Sequence, residues 1–97
     1  MKWLEIIEIR TSHSLHSKLE SNLKSLMQEV NTQAEGQVCR IYTQATLDTD
    51  VSIHLTHGSG TVEEGGSNLG LRIANYLKEF GLVHHSVWFE LQNNEQK

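Results

Sequence analysis

The sequence predicts an α+β domain with four antiparallel strands in one sheet and two helices on one of its faces. Three observations lead there. The apolar period switches between two and about 3.6 in the order strand, helix, strand, strand, helix, strand. Residues 37–57 alternate apolar and polar side chains on both sides of one polar turn, which is a hairpin pattern. The first strand is apolar on both faces, as an inner strand should be. This order is a split βαβ unit, and placing both helices on one face is its usual solution. No linker, fixed-period repeat or low-complexity segment divides the 97 residues, so one domain over 1–97 is expected, with a frayed tail at 92–97.

Each element has its own signal. In "WLEIIEI" (3–9) Leu4 and Ile6 share one face, and Ile7 and Ile9 the other. Over 14–33, Leu15, Leu19, Leu23, Leu26, Met27 and Val30 draw one stripe along a helix. Ser12 or Ser14 can cap its start, and Gly36 lies just beyond its end. "QVCRIYTQA" (37–45) and "DVSIHLTH" (50–57) flank the turn "TLDTD", and their alternation directs Cys39, Ile41, Val51, Ile53 and Leu55 at the helices. A turn centred near 48 sets Tyr42 opposite His54 and Arg40 opposite Thr56. Over 67–80, Leu69, Ile73, Tyr76, Leu77 and Phe80 fall at helical spacing. Gly81 is placed as the C′ residue of a Schellman-type ending, with Leu82 as its apolar contact. The last strand, "LVHHSVWFEL" (82–91), turns Val83, His85, Val87, Phe89 and Leu91 to the core.

Composition narrows the function classes. A formal charge of −4 and scattered basic residues argue against nucleic acid, which requires clustered Lys and Arg. A single cysteine, Cys39, cannot form an internal disulfide and fits a reducing, cytoplasmic setting. No apolar run approaches the roughly 18 residues of a membrane span. Glu5 and Glu8 interrupt the N-terminal segment where a signal peptide needs a continuous apolar stretch, so no export signal is read.

The side chains capable of chemistry gather on the sheet face that points away from the helices: Arg40, Tyr42, Gln44, Ser52, His54, Thr56, His84, Ser86, Trp88 and Glu90. A solvated surface is the plain alternative. Trp88 and the second apolar face of the first strand count against it, because small soluble proteins seldom leave large apolar surface open.

The element order, the length and the two-faced first strand resemble the ferredoxin-like βαββαβ folds. Among these, the chain is most similar to the dimeric α+β barrel superfamily, which includes the antibiotic-biosynthesis-monooxygenase-like domains. The resemblance covers nearly the whole chain and carries no specific motif. It implies a homodimer closed sheet against sheet around a cavity, where ligands bind and some members perform cofactor-independent oxygen chemistry. No cofactor is expected.

Other motifs point elsewhere only weakly. His54 and His57 lie three apart, which in a strand puts them on opposite faces, so a shared metal is not expected. His85 points opposite to His84 and is expected to be a partly buried structural histidine, while His13 and His16 are expected to be solvated. "GSGTVEEGGS" (58–67) lacks the Lys and the spacing of a phosphate loop and carries Glu63 and Glu64. A flexible connection is the better reading, and its length and glycine content also suit a flap over a cavity mouth. Thr61 with Glu64 matches a capping box. Cys39 faces the core, where a thiol is inert, and no GxSxG is present. The inner strands lack the aromatic residues of an RNA-recognition domain.

Two readings remain. One is a homodimer that binds a small molecule, with or without catalysis, in a pocket lined by Arg40, Tyr42, His54, His84 and Trp88. There Arg40 pairs with an anionic group, Trp88 supplies an apolar wall and His54 is the general base of any reaction. The other is a non-catalytic interaction module that uses the same face.

Overall fold

The computed structural model describes residues 2–11, 17–33, 36–47, 49–58 and 60–91, the side chains of 17 and 18 excepted. The elements follow in the order β1 (Trp3–Thr11), α1 (Ser17–Gln33), β2 (Gln37–Thr43), β3 (Asp50–His57), α2 (Asn68–Leu77) and β4 (Gly81–Phe89). They form one antiparallel sheet ordered β2-β3-β1-β4, with β1 inside and β2 and β4 at the edges. This is the ferredoxin-like α+β arrangement. The capping residues expected at Ser12 and Ser14, the histidines His13 and His16, Leu15 and the 92–97 tail lie outside the described residues.

The core forms where one face of the sheet meets the apolar stripes of both helices. Ile7 and Ile9 of β1, Cys39 of β2 and Val51, Ile53 and Leu55 of β3 pack with Leu19, Leu23 and Val30 of α1 and Ile73, Ala74 and Leu77 of α2. Ile41 and Val83 are partly buried against the same cluster. The edge strand β2 is blunted from within the chain. The Asn31 side chain of α1 donates to the Cys39 carbonyl at 3.1 Å and accepts from the Cys39 N–H at 2.8 Å, satisfying the two backbone groups that point away from β3. Burial pushes the Cys39 thiol up to about 11, in keeping with an inert core residue.

Several local expectations are corrected. The β2–β3 register is two residues away from the one a centred turn implies: Arg40 pairs with His54, and Tyr42 with Ser52. The connecting loop is wider than a tight turn. Gln44 N–H bonds the Asp50 carbonyl at 3.0 Å, and the Gln44 side chain accepts from Thr46 N–H at 2.7 Å. A shift of two leaves every side chain on its expected face.

The end of α2 also differs. Gly81 is the first residue of β4 and is not among the positive-φ glycines, and Leu82 is 78% exposed, so no Schellman contact forms. Gly81 is instead required by close approach, since a Cβ there would stand 2.2 Å from the Arg10 carbonyl oxygen. Thr61 and Glu64 start no helix. A turn closes there through Gly66 N–H to the Glu63 carbonyl at 2.8 Å. Phe89 and Leu91 do not reach the core, being 63% and 92% exposed. The start of α2 sits over Glu5, which pairs with Val87, so the chain beyond Val87 runs past the cover that the helix provides.

Candidate functional site

The open face of the sheet is ordered by the register into cross-strand rows. Val38, Thr56, Leu4 and Trp88 form one row, Arg40, His54, Ile6 and Ser86 the next, and Tyr42, Ser52, Glu8 and His84 a third. Three of the five expected ligand residues therefore come together. Arg40 stands directly across from His54, and the Tyr42 ring lies diagonal to it with centroids 4.8 Å apart. His54 Nε2 is 3.0 Å from Ser52 Oγ.

His84 and Trp88 lie on the far edge strand, separated from that group by Leu4, Ile6 and Glu8 of β1. Trp88 donates its indole N–H to Ser86 Oγ at 2.8 Å and is 57% exposed. A groove of about 480 Å³ runs along one end of this face, lined by Glu8, Arg10, Tyr42, Ser52, Leu82 and His84 among others. Arg10 is held there by Asp50, with Nη2 to Oδ2 at 2.8 Å, and this pairing keeps the Asp50 carboxyl below its ordinary range.

A second polar cluster lies on the helix side, and sequence reading did not assign it. Glu5 of β1 is fully buried. Its Oε1 accepts from Ser67 N–H at 3.1 Å and faces His85 Nε2 at 2.8 Å. Its Oε2 accepts from Ser67 Oγ at 2.5 Å and faces His57 Nε2 at 2.6 Å. Each oxygen thus meets two donors, which saturates a carboxylate.

Burial pushes the Glu5 carboxyl up, but the bonds from Ser67, His85 and His57 outweigh it and hold the group below its ordinary value. An ionised carboxylate only accepts, so each imidazole presents a protonated Nε2 to it. Gln37 Nε2 stands 3.4 Å from His57 Nδ1 and suits that tautomer by donating to the unprotonated nitrogen.

Local sequence explains how the cluster assembles. Period two places Trp3, Glu5, Ile7 and Ile9 on one face, and His57 and His85 fall on the helix-facing side of their own strands. The register then puts His57 opposite Trp3 and His85 opposite Ile7, so that Glu5 is diagonal to both. Trp3 stacks on His57 and closes the cluster on that side. Ser67 caps α2, accepting Gly70 N–H at 3.0 Å while its hydroxyl donates to Glu5.

The glycines around the cluster are spatial requirements. A Cβ on Gly70 would fall 1.9 Å from Glu5 Oε1, and one on Gly66 would fall 2.4 Å from His85 Cε1. The loop after His57, expected to be a flexible connection, therefore ends in a fixed anchor. The anion at the α2 N-terminus is the protein's own carboxylate.

The two imidazoles approach different oxygens of Glu5 and do not converge on a common point. Among the described residues no group of three His, Cys, Asp or Glu is arranged to hold a metal ion. Nor is any helix among them long and apolar enough to cross a membrane. No protein-family model matches the chain, and neither a curated protein nor a solved structure is significantly similar to it.

Proposed function

We propose that the protein is a homodimer that closes its open sheet faces against each other and binds a small molecule between them. The observation that carries this reading is the groove of about 480 Å³ on that face, a volume within the range of small-molecule sites. Tyr42, Ser52, Glu8 and His84 give it polar contacts, and Leu82 gives it an apolar one. Arg40, next to the groove and opposite His54, would draw an anionic part of the ligand, and His54 would be the base of any reaction.

Dimerisation is supported by the half-buried Leu4 and Ile6 and by the exposed Trp88, none of which a helix covers. The distance of Trp88 from the groove favours a second reading, in which the same face serves self-association without a ligand.

Light scattering combined with a small-molecule thermal-shift screen tests the proposal. Expected are a mass of two chains and at least one stabilising compound whose effect disappears in Tyr42→Ala and His84→Ala. A one-chain mass at micromolar concentration would refute the dimer. Compounds that stabilise both variants as well as the parent would refute the pocket.

A further inference from the structure

On the other side of the sheet, α2 and β4 enclose a groove of about 920 Å³ lined by Asn68, Leu71, Arg72, Asn75, Lys78 and His85, with Ala74 and Val83. His85 is thus shared between two environments. Its Nε2 is committed to the buried Glu5 carboxylate. Its Nδ1 makes no hydrogen bond among the described residues, and it is not one of their fully covered unpartnered atoms, of which Trp3 Nε1 is the one case, so Nδ1 keeps accessible surface on a residue that lines the groove.

Arg72, on the exposed face of α2, and Lys78, at its C-cap, pair with no carboxylate among the described residues. Among the described residues, the charged or titratable groups facing His85 are Glu5 of β1 and His57 of β3 across that carboxylate, and Arg72 of α2 and Lys78 at its C-cap line the same groove. The loop contributes Gly66, and the cap Ser67.

We propose that this groove binds the phosphate of a small phosphomonoester together with one proton, shared between the ligand and His85 Nδ1. The chemistry selects the ligand class. With Nε2–H held by Glu5, the neutral imidazole offers a lone pair at Nδ1. A carboxylate or sulfate brings only lone pairs to meet it. A phosphomonoester, whose second ionisation lies at about pH 6, brings both negative charge and a P–OH donor. Glu5 behind the ring would repel an anion arriving without that proton, while Arg72 and Lys78 supply the opposing charge. Phosphodiesters of nucleic acid lack the acidic proton and do not fit.

The test is calorimetric titration with inorganic phosphate and phenyl phosphate, with sulfate as the comparison, at about pH 7 in buffers of different ionisation enthalpy. Expected are net proton uptake with both phosphates and affinity for sulfate lower by about tenfold or more. His85→Gln keeps an amide donor for Glu5 but removes Nδ1. It should lose the proton uptake and weaken phosphate by about tenfold. The Arg72→Gln/Lys78→Gln double variant, altered only at exposed positions, should weaken phosphate and keep the uptake. On the unmodified protein, the His85 Nδ1 nitrogen resonance should move on phosphate addition while those of His54 and His84 stay. Absence of phosphate binding, sulfate bound equally well, uptake unchanged in His85→Gln, or a still His85 resonance would each overturn the proposal.

Discussion

Trp3 lies flat on His57, with ring centroids 4.0 Å apart and planes 17° from parallel. The stack closes the buried Glu5 cluster from the side of β3, and Trp3 itself is only 4% exposed. Trp3→Ala should therefore destabilise the protein by about 3–5 kcal/mol, as deletion of a buried aromatic residue does. Denaturant unfolding checks this, and a loss below about 1 kcal/mol would show that the ring is not packed as described.

Glu5 gives the stability a defined pH dependence. Its folded value lies below the ordinary 4.5, so its contribution is complete above that value and is lost as pH falls through the lowered folded value. Glu5→Gln should flatten this acid limb. It should also cost about 1–3 kcal/mol at neutral pH, because four buried donors lose their charged acceptor. Urea unfolding of both proteins between about pH 3 and 7 reads the two effects together.

At Gly70 the usual effect of a helix substitution should reverse. Replacing Gly by Ala inside a helix ordinarily gains about 1 kcal/mol. Here the added methyl group would meet the Glu5 carboxylate, so Gly70→Ala should lower the melting temperature. A rise would mean that the carboxylate does not occupy that position.

Leu19 and Leu23 measure the core stripe of α1. Both are buried, at 0% and 2% exposure, and replacement of either by Ala should cost about 2–5 kcal/mol. Leu82→Ala, at an open position, should change the stability of the monomer by less than about 0.5 kcal/mol. Chemical denaturation at low protein concentration distinguishes the three.

Much of this fold can be read from periodicity. The six elements, their order, the core positions of the hairpin and the contrast between His84 and His85 all follow from which residues share a face. What periodicity cannot supply is the position of one strand along its neighbour. The β2–β3 register depends on how Gln44 and Thr46 close the connecting loop, and only a two-residue shift brings Arg40 rather than Tyr42 opposite His54.

The Glu5 cluster was hidden for the same reason. Its signal was present, since a period-two reading of β1 puts a carboxylate on the buried face between Trp3 and Ile7. A buried charge demands partners. His57, His85 and Ser67 become its partners only once two registers and the start of α2 are fixed.

The partners of Glu5 lie 52, 62 and 80 residues further along the chain. On a growing polypeptide the carboxylate therefore stays hydrated until β4 has been synthesised, and it can be dehydrated only when β3, the cap of α2 and β4 have all arrived. Contacts of such long sequence separation are slow to close. The cluster is therefore complete only in a chain whose sheet is correctly aligned. A sheet slipped by one residue would turn the same carboxylate to the opposite face, away from both imidazoles, and leave the donors of Ser67, His57 and His85 without their acceptor.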